Sequence, residues 1–159
     1  MCGLAGSGKT TYVRQLEDQG YVRLSIDEEL WHSFGRYGID YPVDRYGELS
    51  ELVEGRLRER LIMCIARGTN VVVDYSFWKR QDREDYKALV DAHGGRWRLV
   101  YLNVPSYELR RRLRLRSARF DANAAFPIDE PLFDRYLAMF EEPVDEGEEV
   151  IAGGSGETH

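Results

Sequence analysis

Near its amino end the chain reads Gly3-Leu4-Ala5-Gly6-Ser7-Gly8-Lys9-Thr10, a full match to the spacing G-x-x-x-x-G-K-[ST]. Such a segment must leave a buried strand, turn tightly and enter a helix, so it constrains the fold more than any other stretch of this chain. Gly3, Gly6 and Gly8 can take backbone conformations closed to residues with a Cβ, and the amides then turn inward as a nest for phosphate oxygens. Lys9 adds a point charge and the Thr10 hydroxyl can ligate Mg2+. A helix starting near Lys9 points its positive dipole end at the same place. Gly3, Ala5, Gly6, Ser7, Gly8, Lys9, Thr10 and Thr11 are therefore expected to line a nucleoside triphosphate site. A phosphate loop normally follows a central strand of about five residues. Only Met1 and Cys2 precede Gly3, so the first strand is expected to be stunted, either because the natural chain starts upstream or because a short strand suffices.

Beyond the loop, hydrophobic periodicity predicts helix over 9–18, strand over 21–26, a short helix over 27–34 and a loop over 35–42. Leu49, Leu52, Val53, Leu57, Leu61, Cys64 and Ile65 recur at helical spacing and predict a helix over 44–67, closed by Gly68. Strand over 70–74 and helix over 79–93 follow, then a continuous apolar strand over 97–104 and a helix from Pro105 to about 117. A loop over 121–127, a helix over 130–140 and a short strand over 149–152 precede a glycine-rich tail, 153–159. Strands alternating with helices imply an α/β fold, a parallel sheet covered on both faces. Residues 1–152 are expected to form one domain.

The net charge of −6, from 28 acidic and 22 basic residues, argues against nucleic acid and anionic membranes as partners. Two cysteines, Cys2 and Cys64, are too few for a disulfide framework or a zinc site and suit a reducing cytoplasm. No signal peptide or apolar stretch of membrane-spanning length is evident.

Asp27 falls where the strand over 21–26 ends, and ligands of open parallel sheets collect outside the carboxyl ends of their strands. A carboxylate there can take or orient the proton of an attacking hydroxyl, or help hold Mg2+; the competing reading is a helix N-cap. Asp74 ends the run Val71-Val72-Val73, a pattern that sets a carboxylate near Mg2+ and phosphates, or simply starts the turn at Tyr75. Tyr75, Trp78 and Arg83 follow and are candidate substrate contacts; Lys79 and Arg80, like Arg83, can contact substrate or phosphate, or each of the three is an ordinary surface charge. Trp31, Phe34, Tyr37 and Tyr41 can wall an acceptor pocket or pack in the core. Six arginines lie between positions 110 and 119. Arg112, Arg116 and Arg119 share a helical face and can neutralise a transferring phosphoryl group. Rival readings are nucleic-acid binding and pairing with the acidic stretch 141–149. His32, His93 and His159 lack metal-ligand partners at a recognisable spacing.

In this order, the phosphate loop, Leu-Ser-Ile-Asp27, Val-Val-Val-Asp74 with Arg83 following, Val-Pro-x4-Arg-Arg-Arg112-Leu-x-Leu-Arg116 and Phe-Glu-Glu-Pro143 resemble the P-loop kinases of the AAA-33 type. These are similar in layout to chloramphenicol phosphotransferase, zeta toxin, gluconate kinase and polynucleotide kinase. The resemblance spans Gly3 to Ile151, and only the phosphate loop is specific. It implies a three-layer P-loop NTPase fold with a five-stranded parallel sheet in order 2-3-1-4-5, helices on both faces and a small arginine-bearing lid. It implies Asp27 as the acceptor-activating carboxylate, Asp74 beside Mg2+ or substrate, and Arg112, Arg116 and Arg119 as lid arginines, with the loop 121–127 in the lid. Which of Asp27 and Asp74 is the base stays open. The expected activity is transfer of the γ-phosphate of ATP, with Mg2+, to the hydroxyl of a small molecule. A polynucleotide 5'-hydroxyl kinase and a nucleotide-dependent switch are the alternatives.

Overall fold

The computed structural model describes residues 1–116 and 128–153. Its elements are helix α1 (Lys9–Asp18), strand β1 (Val22–Leu24), α2 (Ile26–Phe34), a 3-10 turn (Val43–Arg45) and α3 (Tyr46–Ala66). Strand β2 (Val71–Val73), α4 (Arg80–Ala92), β3 (Leu99–Asn103), α5 (Ser106–Arg116), α6 (Glu130–Met139) and β4 (Glu148–Ala152) follow. The predicted helices and strands are present; β1, β2 and β3 are shorter than the runs that announce them, and β4 starts one residue earlier than expected. The run over 21–26 keeps only three strand residues because Ser25 is taken by the helix: its hydroxyl accepts from the Glu28 amide at 3.3 Å and caps α2. Asp27, read alternatively as that cap, sits two residues past it, inside the first turn.

Among the described residues the strands form two parallel pairs, β1 with β2 and β3 with β4. Between them lies the segment Met1–Cys2, too short to be a strand. The Met1 amino group donates to Val73 O at 3.0 Å. Cys2 bridges Tyr101, its amide donating to Val100 O at 2.7 Å while its carbonyl accepts from Leu102 N at 3.0 Å. Beside Met1, toward the amino ends of the strands, a cavity of about 620 Å³ is lined by Val71, Val72, Leu99, Val100, Tyr12 and Leu61 among others. None of residues 3–10 lines it.

The period of two along a strand sends alternate side chains to opposite faces. Val72, Val100 and Leu102 join Met1 and Val13 in a core under α1. Val71 and Val73 turn the other way, onto Leu24, Leu30 and the α3 stripe Leu49, Val53, Leu57 and Leu61. Those four stripe residues are each at most 4% exposed, and burying each stabilises the fold by roughly 1.5–3 kcal/mol. Leu52, expected on the stripe, is exposed. A third cluster of Leu4, Val104, Leu109, Leu113 and Phe133 ties α5 and α6 to the start of the phosphate loop.

Candidate phosphate-loop site

The loop lies at the carboxyl ends of the strands. Gly3 donates to Ser76 O, in the segment after β2, at 3.2 Å, and Gly8 forms the N-cap of α1. Gly3, Gly6 and Gly8 have φ of 147°, 84° and 96°, conformations that L side chains rarely adopt. At Gly3 space is restrictive as well. A Cβ at Gly3 would lie 2.9 Å from Ser7 Oγ and 3.1 Å from Leu102 O, whereas one at Gly6 would only touch Leu109 O and Leu113 Cγ of α5, each at 3.4 Å. Lys9 Nζ donates to the Gly3 and Leu4 carbonyls at 2.8 and 3.0 Å. Ser7 Oγ is buried with no hydrogen-bond partner. An ammonium within the loop, an unused buried hydroxyl and the amide nest at the start of α1 fit a polyphosphate.

Arg112 reaches this loop from α5, 106 residues away in sequence: its Nη1 donates to Gly6 O at 3.3 Å. Glu108, one turn back, accepts from Arg112 Nε at 2.7 Å and from Arg111 at 2.8 and 2.9 Å. The two guanidiniums hold its carboxyl at about 2, below the ordinary 4.5, Arg111 contributing first. Glu108 thus aims Arg112 and was not singled out in the sequence, where it is one acid ahead of many arginines. Arg110 pairs with Glu130 and Asp134 of α6 and lies over the Phe133 ring. The acidic stretch 141–149 instead meets Arg80, Arg83 and Arg98. Arg116 closes α5; Arg119 and the loop 121–127 lie outside the described residues.

Asp27 is exposed in the first turn of α2. Burial raises the hydroxyl pKa of Tyr41, Tyr46 and Tyr136, and the Asp27 charge adds to the rise at each. Asp27 therefore faces tyrosines from three separate segments. Tyr46 and Tyr136 went unnoticed in the sequence because they are brought together only by the packing of α3 and α6. The Tyr37 ring stands edge-on to Tyr46 at 5.5 Å and Tyr41 at 6.2 Å, while Trp78 meets Tyr136 at 4.3 Å, with its indole Nε1 buried and unpartnered.

Three expected contacts read differently in the structure. Arg83 is 2% exposed: its Nε and Nη2 grip Glu146 at 2.7 and 2.6 Å and its Nη1 donates to Phe77 O at 2.8 Å. This guanidinium pins the segment after β2, where Phe77 holds a φ of 49°, and is not available to substrate. Tyr75 packs against Phe77 and Tyr86 at the edge of the core, and burial pushes its hydroxyl up to about 12. Asp74 is bound by Arg23, whose Nε and Nη2 donate to its Oδ2 at 3.0 and 2.6 Å. Among the described residues no group of three or more His, Cys, Asp or Glu side chains could hold a metal ion. No helix of the described residues is long and apolar enough to cross a membrane.

The chain matches the family described as AAA domain, AAA-33, over residues 1–143 of its 159. No curated protein matches it.

Proposed function

The chain belongs to the AAA-33 family of P-loop nucleotide-binding domains, and from that premise we propose that it is an ATP-dependent kinase, active in the cytoplasm, that phosphorylates a hydroxyl of a small-molecule acceptor. The observation that carries this reading is the approach of Arg112 to the phosphate loop, a cation supplied within the same chain at the place where transferring phosphate charge develops. Asp27 follows the carboxyl end of β1, in the first turn of α2. In the proposed reaction Asp27 accepts the acceptor hydroxyl proton, the acceptor oxygen bonds to the γ-phosphorus, and the bond to the β-phosphate oxygen breaks to release ADP. Lys9 and the loop amides hold the β- and γ-phosphates, and Arg112, joined by Arg116 on the same helical face, offsets charge on the transferring group. Mg2+, when bound, supplies neutralisation of the phosphate oxygens, with the Thr10 hydroxyl to hold it. ATP is preferred to GTP because no Asn-Lys-x-Asp guanine motif is present. Net charge of −6 favours a small acceptor over a polynucleotide. The same reading takes the two strand pairs as halves of one sheet in order 2-3-1-4-5, counting Met1–Cys2 as the first, central strand and β1 to β4 as the second to fifth.

Mass spectrometry of labelled γ-phosphate over a panel of hydroxylated acceptors tests this. Asp27→Asn should lower acceptor labelling about 10²–10⁴-fold while ATP affinity stays near that of the parent. Undiminished labelling would refute the base assignment, and hydrolysis without any labelled acceptor would favour a switch.

A further inference from the structure

Asp27 and Asp74 stand just past the ends of neighbouring parallel strands, yet their surroundings differ. Asp74 is clasped by Arg23, a residue of β1 in register with Val72 of β2. The pair is largely shielded from solvent, the two side chains 10% and 6% exposed. The third guanidinium nitrogen, Nη1, donates to Glu28 Oε1 at 3.2 Å, so one side chain ties the end of β2 to the first turn of α2, next to Asp27. Backbone bonding runs the same way, with Asp74 N donating to Leu24 O at 2.8 Å.

A guanidinium is permanently charged, and parting it from a buried carboxylate leaves two charges without compensation. A divalent cation approaching Asp74 would meet a carboxylate already neutralised and lie against the positive charge of Arg23. We propose that Arg23 makes Asp74 a strut instead of a magnesium ligand, and that Arg23 is the positioning residue that fixes the α2 turn carrying Asp27 against the end of β2. The second half of this inference rests on the kinase reading of Asp27; the first does not.

The test is a double-mutant cycle on the full chain, Arg23→Gln, Asp74→Asn and both together, with thermal midpoint and Mn2+·ATP affinity measured by calorimetry. Each single variant should melt well below the parent, and the double variant should regain much of the loss, since both buried charges leave together. Mn2+·ATP affinity of Asp74→Asn should stay within about twofold, whereas loss of a metal-side group costs about tenfold or more. A tenfold loosening in Asp74→Asn, or melting losses that merely add, overturns the strut. Should a single variant not fold, Arg23→Lys, which keeps the charge but loses the fork, serves in its place: unchanged Mn2+·ATP affinity with a lower melting point supports the strut, and a tenfold change overturns it. A parent chain that binds no Mn2+·ATP sinks the kinase reading, while the melting cycle still decides the strut. Positioning is read separately in the folded Arg23→Lys chain: a fall in acceptor turnover at unchanged ATP affinity supports it, and parent-like turnover removes it.

Discussion

The phosphate side and the carboxylate side of this site are built on different principles. On the phosphate side, eight consecutive residues supply glycines of positive φ, a lysine and a helix start, and Arg112 with its Glu108 tether is added from α5. On the carboxylate side nearly every charged group is defined by a distant partner: Arg83 by Glu146, 63 residues on, and Asp74 by Arg23, 51 residues back. A local device keeps its chemistry wherever it is placed, whereas a polar side chain in the fold interior is whatever its neighbour makes it.

The largest effect that can break this contrast belongs to Arg83→Leu. It strands Glu146 without its buried partner and should cost about 3–5 kcal/mol in urea unfolding, with nucleotide affinity of the folded fraction unchanged. A milder cost together with weaker acceptor binding would return Arg83 to the substrate site. Next in size is Lys9→Ala, which should weaken ATP binding about 10–100-fold by calorimetry, the worth of a charge-assisted contact. Its stability should shift little, and a chain that instead unfolds would show that the loop is structural before it is functional.

The smallest effect sharpens the comparison by asking how far Arg112 depends on its tether. Because the folded Glu108 carboxyl lies at about 2 against an ordinary 4.5, its contribution to stability is present above the ordinary value. It fades as pH falls from there through about 2. Acid unfolding followed by circular dichroism should show that Glu108→Gln has lost this component, and at neutral pH the variant should bind ATP a few-fold more weakly. Parent-like affinity would mean that the packing of α5 alone aims Arg112.

Much of the fold was legible because it depends on periodic burial. The stripe Leu49, Val53, Leu57 and Leu61 and the run Val71-Val72-Val73 announce a helix and a strand by spacing alone. Boundaries were less legible: Ser25 and Asp27 both suit a cap, and only the hydrogen bond to Glu28 N decides between them. Leu52 shows the same limit, since one step around the helix takes an apolar residue from core to solvent. In the site, Arg83 and Arg112 look alike in the sequence, each an arginine in a charged helix. The first is buried against Glu146 and the second reaches the phosphate loop.

What the sequence determined by itself is the phosphate loop, since the conformational freedom of glycine and the placement of lysine at the start of a helix are properties of adjacent residues. Tertiary structure alone decided which of the remaining charges serve chemistry and which serve cohesion. Burial makes an ion pair's partner, 51 or 63 residues away along the chain, the controlling part of each charge's environment.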